Sequence, residues 1–476
     1  MKQPFKWGLL GLLALAQFMV VLDSSIVNVA LPAIQQALKF KPSDLQWVLT
    51  AYTLAFGGFL LLGGRAADLY GRRKMFIIGV AGFTLASLVA GLAQNSAMMI
   101  MARGLQGLSA AMMSPAALSI VLTSFKEGAD RNKALGIWGA VAAGGAAAGV
   151  LLGGILTQYT SWEWNFFVNI PVGIFVIVTA LRVVPKHARE VAHNDLDLPG
   201  AILVTGGLMT LVYTLVKAPE WGWGEGSIIG LFALAAAMLI GFIVNESKVK
   251  HPLVPLSIFK IRNVSGANMV QMPIMASMMA MFFFLSLYIQ NILQFSPVQT
   301  GLSFLPVTFI IGITATVMSN FVAKIGFKPL LTVAPLLVGT GLFLLSHVTV
   351  GGSYLTDVLP GLAFVALGMG TSFVTLTIAA TSGVPANESG LASGLLNTSQ
   401  QIGGALGLAI LSGIAASRSA DVVKATGNIA EATVEGFQSA FLWGLCFTIA
   451  ASLLALTVIK QVKGNKQAAG STAAMH

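Results

Sequence analysis

Asp23 is the residue whose chemistry stands out first. It lies in VLDSSIVNVALP (21–32), inside an apolar run from residue 7 to residue 31 that holds no other charge. A carboxylate at membrane depth costs about 3 kcal/mol or more, and is kept there by a partner, by water or by taking up a proton. Binding a proton or a cation is the chemistry such a group can do. Arg103, in RGLQGLSAAMMSP (103–115), is the basic residue embedded in an apolar run. Traced from opposite ends of the membrane, the two charges fall at similar depth. A shared polar cavity is the expected home for both. The guanidinium favours an ionised carboxylate, and parting the two favours proton uptake. A purely structural ion pair is the bland alternative.

Other stretches carry spacing rather than charge. GGRAADLYGRR (63–73) sets Gly64, Asp68, Gly71, Arg72 and Arg73 in a short turn between antiparallel helices. Gly71 permits a tight reversal there, and Asp68 can pair with the arginines or cap a helix start. GIWGAVAAGGAAAGVLLGG (136–154) begins at Gly136, repeats Gly145, Gly149 and Gly153 every fourth residue, and ends at Gly154. That is the small-xxx-small pattern of close helix contact. MASMMAMFFFLSLYIQ (275–290) holds Met279, Phe283 and Tyr288. Such residues offer an adaptable, polarizable surface and aromatic faces for a cation, although most residues of an apolar helix face lipid or core. Asn28, Gln106, Asn397, Gln400 and Gln401 are polar within apolar runs, where each can line a cavity or tie helix to helix.

The elements that must position these residues follow from composition. Of 476 residues, 56% are hydrophobic and 9% charged, with mean hydropathy +0.83. Soluble domains carry about 25% charged residues, so this is an all-α integral membrane protein. Fourteen runs of spanning length are expected, near 7–31, 46–65, 75–94, 98–122, 134–157, 165–184, 198–217, 227–245, 266–290, 299–322, 329–348, 356–380, 390–416 and 438–460. With the N-terminus in the cytoplasm, inner segments hold 21 of the 27 Lys and Arg residues and outer segments hold five. That bias supports cytoplasmic termini and an even number of spans in the inner membrane.

The longest inner connections flank spans 7 and 8, which read as a pair inserted between two six-helix bundles. The expected organisation is 1–190, an inserted pair over 191–262, 263–460, and a disordered cytoplasmic tail over 461–476. The turn around Gly71 and Arg73 has a faint echo at Gly326 and Lys328, as in transporters built from two related halves. Residues 417–437 are expected as the longest external segment. The net charge of +10 sits in short loops, which argues against nucleic acid. A single cysteine, Cys446, allows no internal disulfide, and the five histidines show no metal-ligand spacing. No histidine is paired with a candidate Ser or Cys by a recognisable motif, which speaks against a membrane-embedded enzyme.

On these motifs the chain resembles the major facilitator superfamily, and within it the fourteen-spanner drug:proton antiporters. LDSSIVNVALP (22–32) is similar to that family's span-one signature, GGRAADLYGRR to its signature loop, RGLQG (103–107) to its span-four motif, and 136–154 to its antiporter motif. SWEWNFFVNIPVG (161–173) and GLLNTSQQIGGALG (394–407) are also similar to family segments. Two positions depart from the pattern: Val150 stands where the antiporter motif usually has Pro, and Leu69 where the loop usually has Arg. The resemblance implies proton-driven export by alternating access, with Asp23 as the proton site and Arg103 as its partner. It implies lipophilic, often cationic, drugs, dyes or biocides as substrates, no cofactor beyond the proton gradient, and a monomer in the lipid bilayer. Export of a lipid, peptide or metabolite is the alternative. One embedded carboxylate favours monovalent over divalent cations.

Overall fold

The computed structural model describes residues 3–125, 129–185, 197–385 and 388–461. Among these residues regular structure is helical, and fourteen helices are long and apolar enough to cross a membrane. Lipid offers a backbone no hydrogen bonds, so apolar runs of this length satisfy their own amides as helices. Spans 1 to 7 are Lys6–Ala37, Trp47–Tyr70, Arg72–Gly91, Ser96–Ser124, Lys133–Tyr159, Trp164–Val183 and Leu198–Trp221. Spans 8 to 14 are Gly226–Lys248, Arg262–Ile292, Pro297–Val322, Phe327–Leu345, Tyr354–Thr381, Gly390–Thr426 and Ile429–Val458. Each expected apolar run overlaps one of them. The expected disordered tail beyond residue 461 and most of the 182–197 connection lie outside the described residues. Below, the face holding the chain ends is called the terminal face and the other the distal face.

Local chemistry sets the turns. Span 2 reverses into span 3 at Gly71, with φ 98°, and span 10 reverses into span 11 at Gly326, with φ 85°. The weak sequence echo is therefore a real repeat of backbone geometry. Asn95 caps span 4 by accepting from the Met98 amide at 2.9 Å. Ser296 and Gln299 form a reciprocal capping box at the start of span 10.

Spans 1–6 pack on one another, as do spans 9–14. The two sets meet toward the distal face. Ser286 of span 9 donates to the Asn28 carbonyl at 2.6 Å, and Gln290 donates to the Val29 carbonyl at 2.9 Å. Gln158 of span 5 accepts the Val298 amide at 3.1 Å. Spans 2 and 13 also touch, with Gly57 set against Gln401.

Spans 7 and 8 pack on each other, and span 7 also lies against spans 2 and 13. Leu208, Val212 and Val216 of span 7 share an apolar cluster with Leu54 of span 2 and Ala405 and Ala409 of span 13. Toward the distal face, Lys217 donates to Asp44 at 2.9 Å and to Glu220 at 3.1 Å, tying span 7 to the turn after span 1.

Residues 417–437 differ from the expected loop. The helix of span 13 runs on to Thr426, Gly427 closes it in the left-handed region, and Asn428 caps the next helix. Arg418 pairs with Glu435 at 2.5 Å, and Ser419 donates to the Ala432 carbonyl at 2.8 Å. The segment is polar because these helix ends pair with each other through polar side chains, a pattern that a hydropathy reading takes for a loop.

Candidate functional site

Asp23 and Arg103 are in direct contact. Arg103 Nη1 donates to Asp23 Oδ2 at 2.5 Å, and both side chains are fully buried. The two are in contact, so the expected shared polar space is instead a closed, buried cluster. Its other members come from spans 2, 3, 4 and 6. Gln106 Nε2 donates to Asp23 Oδ1 at 3.0 Å, and Asn169 Nδ2 donates to the same oxygen at 2.9 Å. Both amides also donate to Ser87 Oγ, at 2.8 and 3.3 Å. Arg103 Nη1 further donates to Gln106 Oε1 at 2.8 Å, and Arg103 Nε donates to the Val48 carbonyl at 2.9 Å. The guanidinium lies over the Tyr52 ring, 4.4 Å from its centroid.

The sequence positions these groups by helical spacing. Arg103 and Gln106 are three residues apart, on one face of span 4. Gly107 lets that face approach span 2, because a methyl there would stand 2.2 Å from the Tyr52 carbonyl oxygen. Asn169 sits where the short helix Trp164–Phe167 gives way to Asn169–Val183.

Every neighbour of Asp23 in this cluster is a donor. A carboxylate accepts on both oxygens, whereas a protonated carboxyl must itself donate from one of them. The arrangement thus suits a carboxylate, and a carboxylic acid there needs one of these partners to turn or to part. Two buried polar atoms beside the cluster, Arg103 Nη2 and the Tyr52 hydroxyl, have no hydrogen-bond partner among the described residues. Buried groups of this kind are nearly always satisfied.

The glycine series of span 5 runs along span 1 on both sides of Asp23. A methyl at Gly145 would lie 3.2 Å from Val21 Cβ. At Gly149 it would lie 2.7 Å from Ser25 Cβ and 2.9 Å from the Leu22 carbonyl oxygen, and at Gly153 2.7 Å from the Ile26 carbonyl oxygen. Gly154 faces the other set of helices, 2.4 Å from the Pro297 carbonyl oxygen by the same measure. Gly136 is in open space, with nothing within 4 Å.

In the turn after span 2, Arg72 pairs with Asp68 at 3.4 Å and Arg73 donates to the Leu181 carbonyl of span 6 at 2.5 Å. Gly64 passes Pro115 of span 4, 3.7 Å from its Cβ by the same methyl measure. The turn thus joins spans 2, 3, 4 and 6 at the terminal face.

The residues read as cavity candidates are dispersed. Gln106 belongs to the Asp23 cluster. Asn28 turns its amide back onto the Ser24 carbonyl of its own helix at 3.1 Å. Phe283 is in the core, edge-on to Phe284 with centroids 5.2 Å apart. Tyr288 is fully buried and donates to the Thr349 carbonyl at 2.7 Å. Met279 packs beside Gly404 of span 13. Asn397 is exposed and Gln400 half-buried. Gln271, Met275, Met369, Ser372 and Phe373 line a recess between spans 9 and 12. Ser87, Tyr52 and Asn169 were not singled out by sequence. Asn169 had a signal, because it lies in the family-like segment 161–173.

Comparison with known proteins adds to the geometry. The sequence profile described as the Major Facilitator Superfamily matches residues 13–408. The chain is 39% identical over 451 residues to a puromycin resistance protein of Streptomyces alboniger, covering 94% of this chain and 89% of that one. It is 39% identical to a cephamycin export protein of Amycolatopsis lactamdurans, covering 83% of this chain and 82% of that one. Among solved structures it resembles a bacterial homolog of the human lysosomal transporter Spinster, inward-facing and occupied. That similarity has TM-score 0.70 at 14% identity and covers 96% of this chain and 97% of the other.

Proposed function

The chain belongs to the Major Facilitator Superfamily, and on that premise we propose that it exports lipophilic drugs, dyes or biocides, cations among them, in exchange for protons. The relatives named for antibiotic resistance and export support the class of cargo. The closed Asp23 cluster carries the proton coupling, because its donors fit a carboxylate and not a carboxylic acid.

In this reading Asp23, ionised, binds spans 1, 4 and 6 together while the distal face is shut. Proton uptake releases Arg103 and the two amides. Span 1 then slides along the smooth glycine edge of span 5. Asn28, little more than one turn from Asp23, carries the change to its contact with Ser286 in the other set of helices. The terminal face is cytoplasmic, in accord with the Lys and Arg bias, and the membrane is the inner one. Substrate passes between spans 9, 12 and 13, where Met275, Met279, Gln400 and the recess beside Gln271 offer adaptable, uncharged contacts.

The test is transport in proteoliposomes of the purified protein, with monocationic, dicationic and neutral lipophilic dyes set beside metabolites, peptides and lipids. Dye movement that follows an imposed pH gradient supports the proposal. Movement confined to a metabolite, peptide or lipid, or dye movement indifferent to the gradient, refutes it.

A further inference from the structure

A second buried carboxyl cluster lies where span 7 begins and span 8 ends, at the terminal face and away from Asp23. Asp197 caps span 7 by accepting the Gly200 amide at 2.9 Å. Asn245 of span 8 donates its side-chain amide to both Asp197 oxygens, at 2.8 and 2.7 Å. Beside them Glu246 Oε2 accepts the Val254 amide at 2.9 Å. Asp197 and Glu246 are each 4% exposed.

The other Glu246 oxygen, Oε1, is buried and has no hydrogen-bond partner among the described residues. A methyl on Gly200 would stand 2.3 Å from Asp197 Oδ2 and 2.9 Å from Glu246 Oε1, so the two carboxyl groups meet over that glycine. Two carboxylates in one buried space repel, and neither can donate. One proton converts the orphaned oxygen into a donor toward Asp197 and removes one of the two charges. Lys248 at the end of span 8 and Lys250 of the adjoining segment are exposed, and His251 is partly buried. Spans 2 and 13 present the apolar Leu61, Leu62, Leu391 and Leu395 to the cluster containing Leu253 and Val254.

We propose that Asp197 and Glu246 form a proton-binding carboxyl–carboxylate pair that holds the hairpin of spans 7 and 8 to the segment leading into span 9. With the proton in place, Glu246 joins span 7 through Asp197 and the connecting segment through Val254. When the proton leaves as pH rises, the pair repels and that segment loosens. Because Leu253 and Val254 share an apolar cluster with spans 2 and 13, the loosening reaches the seam beside span 7.

The experiment is infrared difference spectroscopy of the full chain in bilayers during a pH titration, with thermal melting at each pH. A protonated-carboxyl band that vanishes as pH rises is expected in the wild type. It should be lost in Glu246→Gln, shifted or lost in Asp197→Asn, and retained in Asp23→Asn, which separates this site from the one under Proposed function. Glu246→Gln carries a permanent donor in place of the proton, so it should fold and lose the wild type's drop in melting temperature as pH rises. Should that variant not fold, the Asp197→Asn spectrum gives the same readout. A band untouched by either substitution overturns the proposal. So does a band displaced at fixed pH by added Na⁺, K⁺ or Ca²⁺, which makes the pair a metal-cation site.

Discussion

Gly149→Ala and Gly136→Ala form a matched pair, because both glycines lie in the helix of span 5 and only one touches span 1. At position 149 the new methyl would stand 2.7 Å from Ser25 Cβ and 2.9 Å from the Leu22 carbonyl oxygen, while at 136 nothing lies within 4 Å. Carbon atoms in contact prefer about 3.5–4.0 Å, so span 1 must move by roughly 1 Å to admit the methyl at 149. Forcing a methyl into a packed interface costs about 1–3 kcal/mol. Both variants also gain up to about 1 kcal/mol from replacing Gly within a helix. The difference between them therefore isolates the clash, at about 1–3 kcal/mol. Leu22 and Ser25 flank Asp23, so the displaced helix also disturbs the contact of the carboxylate with Arg103. The assay pairs the half-life at elevated temperature in detergent with dye transport in proteoliposomes. Gly149→Ala should be shorter-lived and slower than the wild type, and Gly136→Ala equal to it or more stable. Equal stability and transport in the two variants would refute the packing of span 5 along span 1.

Four further outcomes follow from the same contacts. Arg103→Ala leaves the buried Asp23 without its countercharge and should lower stability by about 3–5 kcal/mol, read as loss of folded protein after solubilisation. Gln106→Ala and Asn169→Ala each remove one donor from Asp23 Oδ1 and should cost about 1–3 kcal/mol in thermal stability and slow gradient-driven transport. Gly71→Ala forces a side chain into φ 98° with free space around it, so backbone strain alone sets the loss at about 1–3 kcal/mol by thermal melting. Lys217→Met breaks a partly exposed ion cluster and should cost no more than about 1 kcal/mol, shrinking further in high salt.

The fold was legible because lipid permits few backbone solutions, so apolar length alone located every span. The pair at the heart of the site was legible for a related reason: a charge in an apolar run is costly, and two of opposite sign at one depth belong together. Gln106 was visible but misplaced. Its spacing from Arg103 puts both on one face, yet a helical wheel does not say whether that face meets a cavity or a closed core. Ser87 and Tyr52 carried no signal, since a hydroxyl in an apolar helix can be satisfied by its own backbone. The Asp197–Glu246 pair was hidden by sequence distance, because one acid opens a helical hairpin and the other closes it, and only folding brings them side by side. The polar helices over 417–437 were missed because hydropathy reports lipid contact and not helicity.

The claim that Asp23 exchanges its proton for substrate is tested most directly by comparing two modes of transport in the Asp23→Asn variant. Asparagine has nearly the shape of aspartate and still accepts hydrogen bonds, but takes up no proton at physiological pH. Gradient-driven export of a lipophilic dye should be abolished. Exchange of labelled for unlabelled dye across the membrane, which needs no net proton movement, should persist. Export that still follows the pH gradient in Asp23→Asn would contradict the account.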